Sequence, residues 1–148
     1  MARKYELPAF IVGMVTQEQY ERWLHRKAVA HVRRDRKRGN PSATNEEYKI
    51  EIHRAVIESE GRDCYTGDKL DWSLISTYEN KRSKSGGRRY KATFALLPTV
   101  DHVNDGLGPA DFKICSWRTN DAKHDLTLPD FLELCEKVIR YNRAVSRD

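Results

Sequence analysis

The chain has 148 residues, a net charge of +5 and 33% charged residues, with a mean hydropathy of −0.79 and a pI of about 9.2. A chain of that length forms one ordinary domain that buries roughly two-thirds of its unfolded surface, so it needs neither disulfides nor a metal to fold. No run approaches ~18 apolar residues, which excludes a helical membrane span. Met1-Ala-Arg-Lys is not followed by the apolar run of a signal peptide, and a cytoplasmic protein is expected.

The first helix starts at a capping box, Thr16-x-x-Gln19, with Val15 and Tyr20 as a hydrophobic staple. Tyr20, Trp23, Leu24, Ala28 and His31 line one side of it, and Gly39-Asn40-Pro41 stops it near residue 38. Its last turns, HVRRDRKR, hold five cations in eight residues: Arg33, Arg34, Arg36, Lys37 and Arg38. Cations there complement the C-terminal dipole and equally suit a phosphate backbone. The pattern does not choose between these roles.

A second helix begins at Thr44-x-x-Glu47, places Tyr48, Ile52, Ala55 and Val56 on one face, and ends at Gly61. His53, beside that face, reads as structural or exposed. Arg62 to Gly67 reads as a turn, and LDWSLIS (70–76) as a strand or a single helical turn. KRSKSGGRRY (81–90) carries Lys81, Arg82, Lys84, Arg88 and Arg89 among serines and glycines. It reads as a basic loop that either solubilises the surface or contacts phosphate.

ATFALLPTVDHV (92–103) is strand-like up to Asp101, DGLGPA is a turn, and FKICSW (112–117) is a second strand-like run. Ser116 can cap a helix bearing Asn120, Lys123 and His124, which share a face at i, i+3 and i+4. The last helix opens with Thr127-x-x-Asp130, stapled by Leu126 and Phe131. Phe131, Leu134, Cys135, Val138 and Ile139 then repeat at helical spacing, which places this helix in the core. Cys64, Cys115 and Cys135 form no C-x-x-C pair, so neither a disulfide framework nor a cysteine zinc site is expected.

The chemistry concentrates in Asp101-His102 and the helix after it. Hydrolysing a phosphodiester needs a base for water, neutralisation of the added negative charge, and stabilisation of the leaving oxygen. A histidine suits the first task. A carboxylate and an amide oxygen select Mg²⁺ or Mn²⁺ for the others. Neighbouring strand residues point to opposite sides, so Asp101 and His102 can take different roles.

Residues 64–67 and 92–131 resemble the HNH, or ββα-metal, endonuclease superfamily. Asp101 matches the family's first metal ligand, His102 its general base, Asn120 its last ligand and Lys123 the lysine that follows. Asp111 falls where the family's middle Asn stands, and Cys64-Tyr-Thr-Gly67 is similar to the turn that precedes the motif in many relatives. His124, four residues after Asn120, is a further metal ligand, a phosphate contact or a surface residue. Asp111 is an acid in place of an amide, so it accepts hydrogen bonds and cannot donate them. The family's paired C-x-x-C knuckle is absent, so no structural zinc is expected.

An α+β, mostly helical fold is expected, with N-terminal helices packed on the ββα-metal core that the resemblance implies and a C-terminal amphipathic helix; the first 60 residues resemble no nuclease module. Residues 1–148 form a single nuclease domain, with 1–61 a basic helical extension and 62–148 the core. The resemblance implies an endonuclease acting on DNA, with RNA possible, through one Mg²⁺ or Mn²⁺ ion, leaving 5′-phosphate and 3′-hydroxyl ends. The basic helix end and loop would hold backbone without reading sequence. A non-catalytic nucleic-acid-binding module, or a component of a phage or defence complex, is the alternative. A structural protein with a buried Asp101–His102 pair is a third. Monomer and homodimer are equally open.

Overall fold

The computed structural model describes residues 3–77, 92–103 and 106–146. These form an α+β, mostly helical chain with four α-helices and one two-stranded antiparallel sheet. The basic loop expected at 81–90 lies outside the described residues.

Helix α1 spans Gln17–Lys37 and opens with the full reciprocal box: Thr16 Oγ1 accepts from Gln19 N, and Gln19 Oε1 accepts from Thr16 N. Helix α2, Asn45–Ser59, is capped by Thr44 and closes through Glu60 and Gly61, both at positive φ. A Cβ on Gly61 would come within 3.0 Å of Phe10, so both its backbone angle and the close approach call for glycine. The ambiguous 70–76 segment is a short 3-10 helix, Trp72–Ser76, because Asp71 caps it through Ser73 N.

Strand β1 is Pro98–His102 and β2 is Phe112–Ser116, paired so that Val100 faces Ile114, Asp101 faces Lys113 and His102 faces Phe112. The sequence overestimates β1. Residues 92–97 turn instead, with Leu97 N bonded to Phe94 O, and only Pro98–His102 is extended. Helix α3, Trp117–Lys123, follows β2 without a loop; Ser116 Oγ accepts from Thr119 N.

One hydrophobic cluster joins these elements. Trp23 and Trp72 meet edge to face at 5.6 Å, Tyr20 stacks on Trp23, and Tyr48, Ile52 and Val56 of α2 are buried in the same cluster as Phe112 and Ile114 of β2. The cluster therefore crosses residue 61, and the N-terminal helices supply most of the wall behind the sheet.

Helix α4, Leu128–Val145, departs from expectation. Its cap forms, with Thr127 Oγ1 accepting from Asp130 N, but none of its residues is buried. The i, i+3, i+4 pattern identified an amphipathic helix correctly and its destination wrongly. Periodicity reports that a face is apolar, not which surface covers it.

Candidate active site

The turn at 62–67 docks the site together. Asp63 is buried and accepts from Tyr65 N and Thr66 N through Oδ1, and from Ser116 N and Thr119 Oγ1 through Oδ2. Burial alone would raise this carboxyl, but the four donors outweigh it and leave it below the ordinary carboxylate value. Cys64 N also bonds Ile114 O. The Cys64–Gly67 turn is thus fixed against β2 and the first turn of α3.

Tyr65 consequently reaches β1. Its hydroxyl donates to Asp101 Oδ2 at 2.6 Å, and Lys123 Nζ lies 3.0 Å from the same oxygen and 5.6 Å from the Tyr65 ring centre. Asp101 and Lys123 are both nearly enclosed. Burial and the Asp101 carboxylate together push the Tyr65 hydroxyl far above its usual range, so it stays a donor.

His102 faces the other way, as strand alternation requires. Its ring packs 4.8 Å from Phe112 and near Tyr48 and His31, and its Nε2 lies 3.0 Å from Oδ2 of fully buried Asp35. Tyr48 donates to that Asp35 oxygen at 2.5 Å. The His102 side chain is only 5% exposed. His31 is buried beside it; burial first, then Arg34, Lys27 and His102, push its imidazole down to about 3.

A cleft of about 980 Å³ opens where these groups meet. It is lined by Asp101, His102, Asn120, Lys123 and His124, together with Arg34 and Arg38 from the end of α1. Five of the expected site residues therefore share one cleft with two of the expected backbone-binding arginines. His124 is exposed, caps α3 at positive φ, and holds Asp125 at 3.3 Å. Asp111 is exposed and outside the cleft; its backbone carbonyl accepts from Val103 N and closes the hairpin. Arg33, Arg36 and Lys37 are exposed but do not line the cleft, and Arg36 Nε donates to Ala43 O. Lys81, Arg82, Lys84, Arg88 and Arg89 lie outside the described residues.

Among the described residues no three His, Cys, Asp or Glu side chains come together as a metal site. The cleft is lined by the carboxylates of Asp101, Asp121 and Asp125 and by the Asn120 amide, of which Asp101 and Asn120 are the two the resemblance implies as ligands. Two such donors fit an ion that keeps most of its coordination for water and phosphate, as Mg²⁺ does. Lys123 already neutralises Asp101, so any ion bound there competes with an internal ammonium.

Asp35 and Tyr65 escaped the sequence reading. Asp35 is the one acid inside the basic run 31–38, four residues after His31, and that spacing on an inward face is its signal. Tyr65 lies within the turn motif itself.

Compared with family models, curated proteins and solved structures, the chain has no significant match.

Proposed function

We propose that the protein is a metal-dependent endonuclease that hydrolyses DNA phosphodiester bonds on an HNH-like ββα-metal core. On this reading residues 62–148 form the core and 1–61 a basic helical extension. The observation that carries it is the convergence of Asp101, His102, Asn120 and Lys123 on one cleft rimmed by Arg34 and Arg38.

Asp101 and Asn120 would hold one Mg²⁺ or Mn²⁺. Bound there, the ion would neutralise charge on the scissile phosphate and stabilise the leaving oxygen. His102 would accept the proton of the attacking water. A proton on Nε2, toward Asp35, leaves Nδ1 with the lone pair. Lys123 would turn from Asp101 to a phosphate oxygen as the ion takes its place, and Arg34 and Arg38 would hold neighbouring phosphates.

A second reading is favoured by the enclosure of the His102 ring and by the Asp101–Lys123 ion pair. Both are what a satisfied, non-catalytic nucleic-acid-binding module would display.

Supercoiled plasmid incubated with Mg²⁺, Mn²⁺ or EDTA separates the two, beside His102→Ala and the more exposed Asn120→Ala. Nicking that needs the ion and both side chains supports the nuclease, provided both variants keep the wild-type circular dichroism and DNA retention. Retention of DNA with no cleavage under any ion supports the binding module.

A further inference from the structure

A second cavity, of about 530 Å³, opens between α1, the 3-10 helix and the start of β1. It shares no described lining residue with the cleft. Its floor belongs to the core: Trp23, Ile75, Leu97 and Pro98 line it, and all four are buried. Its rim on α1 carries Arg22 and Arg26, one turn apart, and Lys27 beside them. No acid stands among the described residues that line it.

These cations are held in place but not neutralised. Arg26 donates to Ile75 O at 3.4 Å and Lys27 to Thr99 Oγ1 at 3.2 Å. A carbonyl and a hydroxyl accept hydrogen bonds without bringing a negative charge. Glu18 and Glu21, the acids nearest in sequence, turn to Arg3 instead. Enclosure, and then the charge of Arg26, brings the Lys27 ammonium down to about 8; Arg34 adds to the fall and Cys115 opposes it. An anion seated beside Lys27 would offset that penalty.

The charge balance favours a dianion. A carboxylate sets one charge against three cations, whereas a phosphomonoester carries about −1.5 to −2 near pH 7 on three acceptor oxygens. Arginine forks match such oxygens in pairs. The apolar floor offers contact to a body larger than phosphate itself, as small-ligand pockets of this volume do.

We infer that this cavity is a phosphomonoester site, in which Arg22, Arg26 and Lys27 hold the phosphate and Ile75, Leu97 and Pro98 support the group that carries it. The carrier is a small ester such as a nucleoside monophosphate, or the 5′-phosphorylated end of a nucleic-acid strand. Nothing in this site depends on the cleft or on its chemistry.

The test is calorimetric titration of the full chain in EDTA with adenosine 5′-monophosphate, inorganic phosphate and adenosine. Probe concentrations reach about 5 mM, well above the dissociation constant of ~100 µM expected for a few charge-assisted bonds. Adenosine 5′-monophosphate and phosphate are expected to bind, and adenosine is not. Arg22→Gln with Arg26→Gln changes two exposed side chains and is expected to weaken binding about tenfold or more with unchanged circular dichroism. Arg34→Gln with Arg38→Gln, at the cleft, is expected to leave this binding unchanged. The source is read with a thymidine oligonucleotide bearing a 5′-phosphate or a 5′-hydroxyl. A preference for the 5′-phosphate that the Arg22/Arg26 variant loses assigns a strand end; equal binding of the two, beside tight adenosine 5′-monophosphate, assigns the small ester. A wild type that binds no phosphate-bearing probe overturns the inference. So does adenosine binding as tightly as its phosphate, or phosphate binding that survives the Arg22/Arg26 variant and fails in the Arg34/Arg38 variant.

Discussion

Replacing Lys123 by Met removes the ammonium that lies 3.0 Å from Asp101 while keeping the length of the side chain. The two side chains are 7% and 10% exposed, and stripping one partner from a buried ion pair costs about 3–5 kcal/mol. The Tyr65 hydroxyl stays on Asp101 Oδ2 and offsets part of that, so a loss of about 3 kcal/mol is expected. For a chain of this size that is a fall in Tm of about 10 °C. Asp101→Asn in the same background removes the stranded charge, and the double variant should regain most of the loss. The nuclease reading adds a second term. If Asp101 and Asn120 hold a divalent ion, the variant binds it without competition from the ammonium, and saturating Mg²⁺ returns about 2.7 kcal/mol at a hundredfold excess over the dissociation constant. Urea unfolding of wild type, Lys123→Met and the double variant, each with EDTA and with Mg²⁺, gives every quantity. A loss below about 1 kcal/mol in EDTA would refute the buried pair, at the level of a surface bridge. Equal effects of Mg²⁺ on wild type and Lys123→Met would refute the idea that ion and lysine share Asp101.

Three further outcomes are expected. His31 sits near 3 in the folded chain and near 6.5 when unfolded; the unfolded state therefore binds the extra proton between those values, and stability is full above 6.5 and declines as pH falls toward 3. At pH 5 the decline is about 2 kcal/mol, read as the urea-midpoint difference between wild type and His31→Phe at pH 7 and pH 5; parallel pH profiles would count against it. Asp35→Asn keeps the volume beside His102 and removes the carboxylate charge 3.0 Å from its Nε2. On the nuclease reading plasmid nicking falls by about tenfold or more with DNA retention unchanged, whereas a loss of retention alone would assign Asp35 to binding. Asp63→Ala strands four donors on the turn, β2 and α3, and is expected to cost about 3–5 kcal/mol in urea unfolding; a cost under about 1 kcal/mol would show that these bonds are not what docks the turn.

Much of the fold was legible because the signals were local. Thr16, Thr44, Ser116 and Thr127 each cap the helix they were expected to cap, since an N-cap needs only its own hydroxyl and a nearby backbone N–H. The extent of β1 was not legible. Residues 92–97 are apolar because they enter the core at Phe94 and Leu97, and a buried turn is as apolar as a buried strand. The cleft residues on β1 and α3 were readable from spacing. Asp35 and Tyr65 were not, because Asp35 reaches His102, and Tyr65 reaches Asp101 at a separation of 36, from elements far apart in sequence. The spacing of Asp35 from His31 marks an inward position on the helix, but not which side chain it meets there. The placement of α4 outside the core shows the same limit from the other side.

The end of α1 explains why the N-terminal helices belong to the cleft rather than merely beside it. His31 and Asp35 are four residues apart and turn inward, to the ring of His102. Arg34 and Arg38 are four apart on the adjacent stripe and turn to the cleft. One helical segment thus supplies both the carboxylate beside His102 and two cations that border the space in front of it. Gly106 locks the arrangement. It sits at positive φ against Asp35, where a Cβ would come within 2.5 Å of Oδ1, and its carbonyl accepts from Asn40 Nδ2 just past the end of the helix. The hairpin that carries His102 and the helix that carries Asp35 are therefore fitted to each other from both ends. Residues 62–148 alone would keep Asp101, Asn120 and Lys123 but lose the carboxylate behind His102, the packing of Tyr48 and both arginines. Whatever the cleft binds, it is built by the two halves of the chain together.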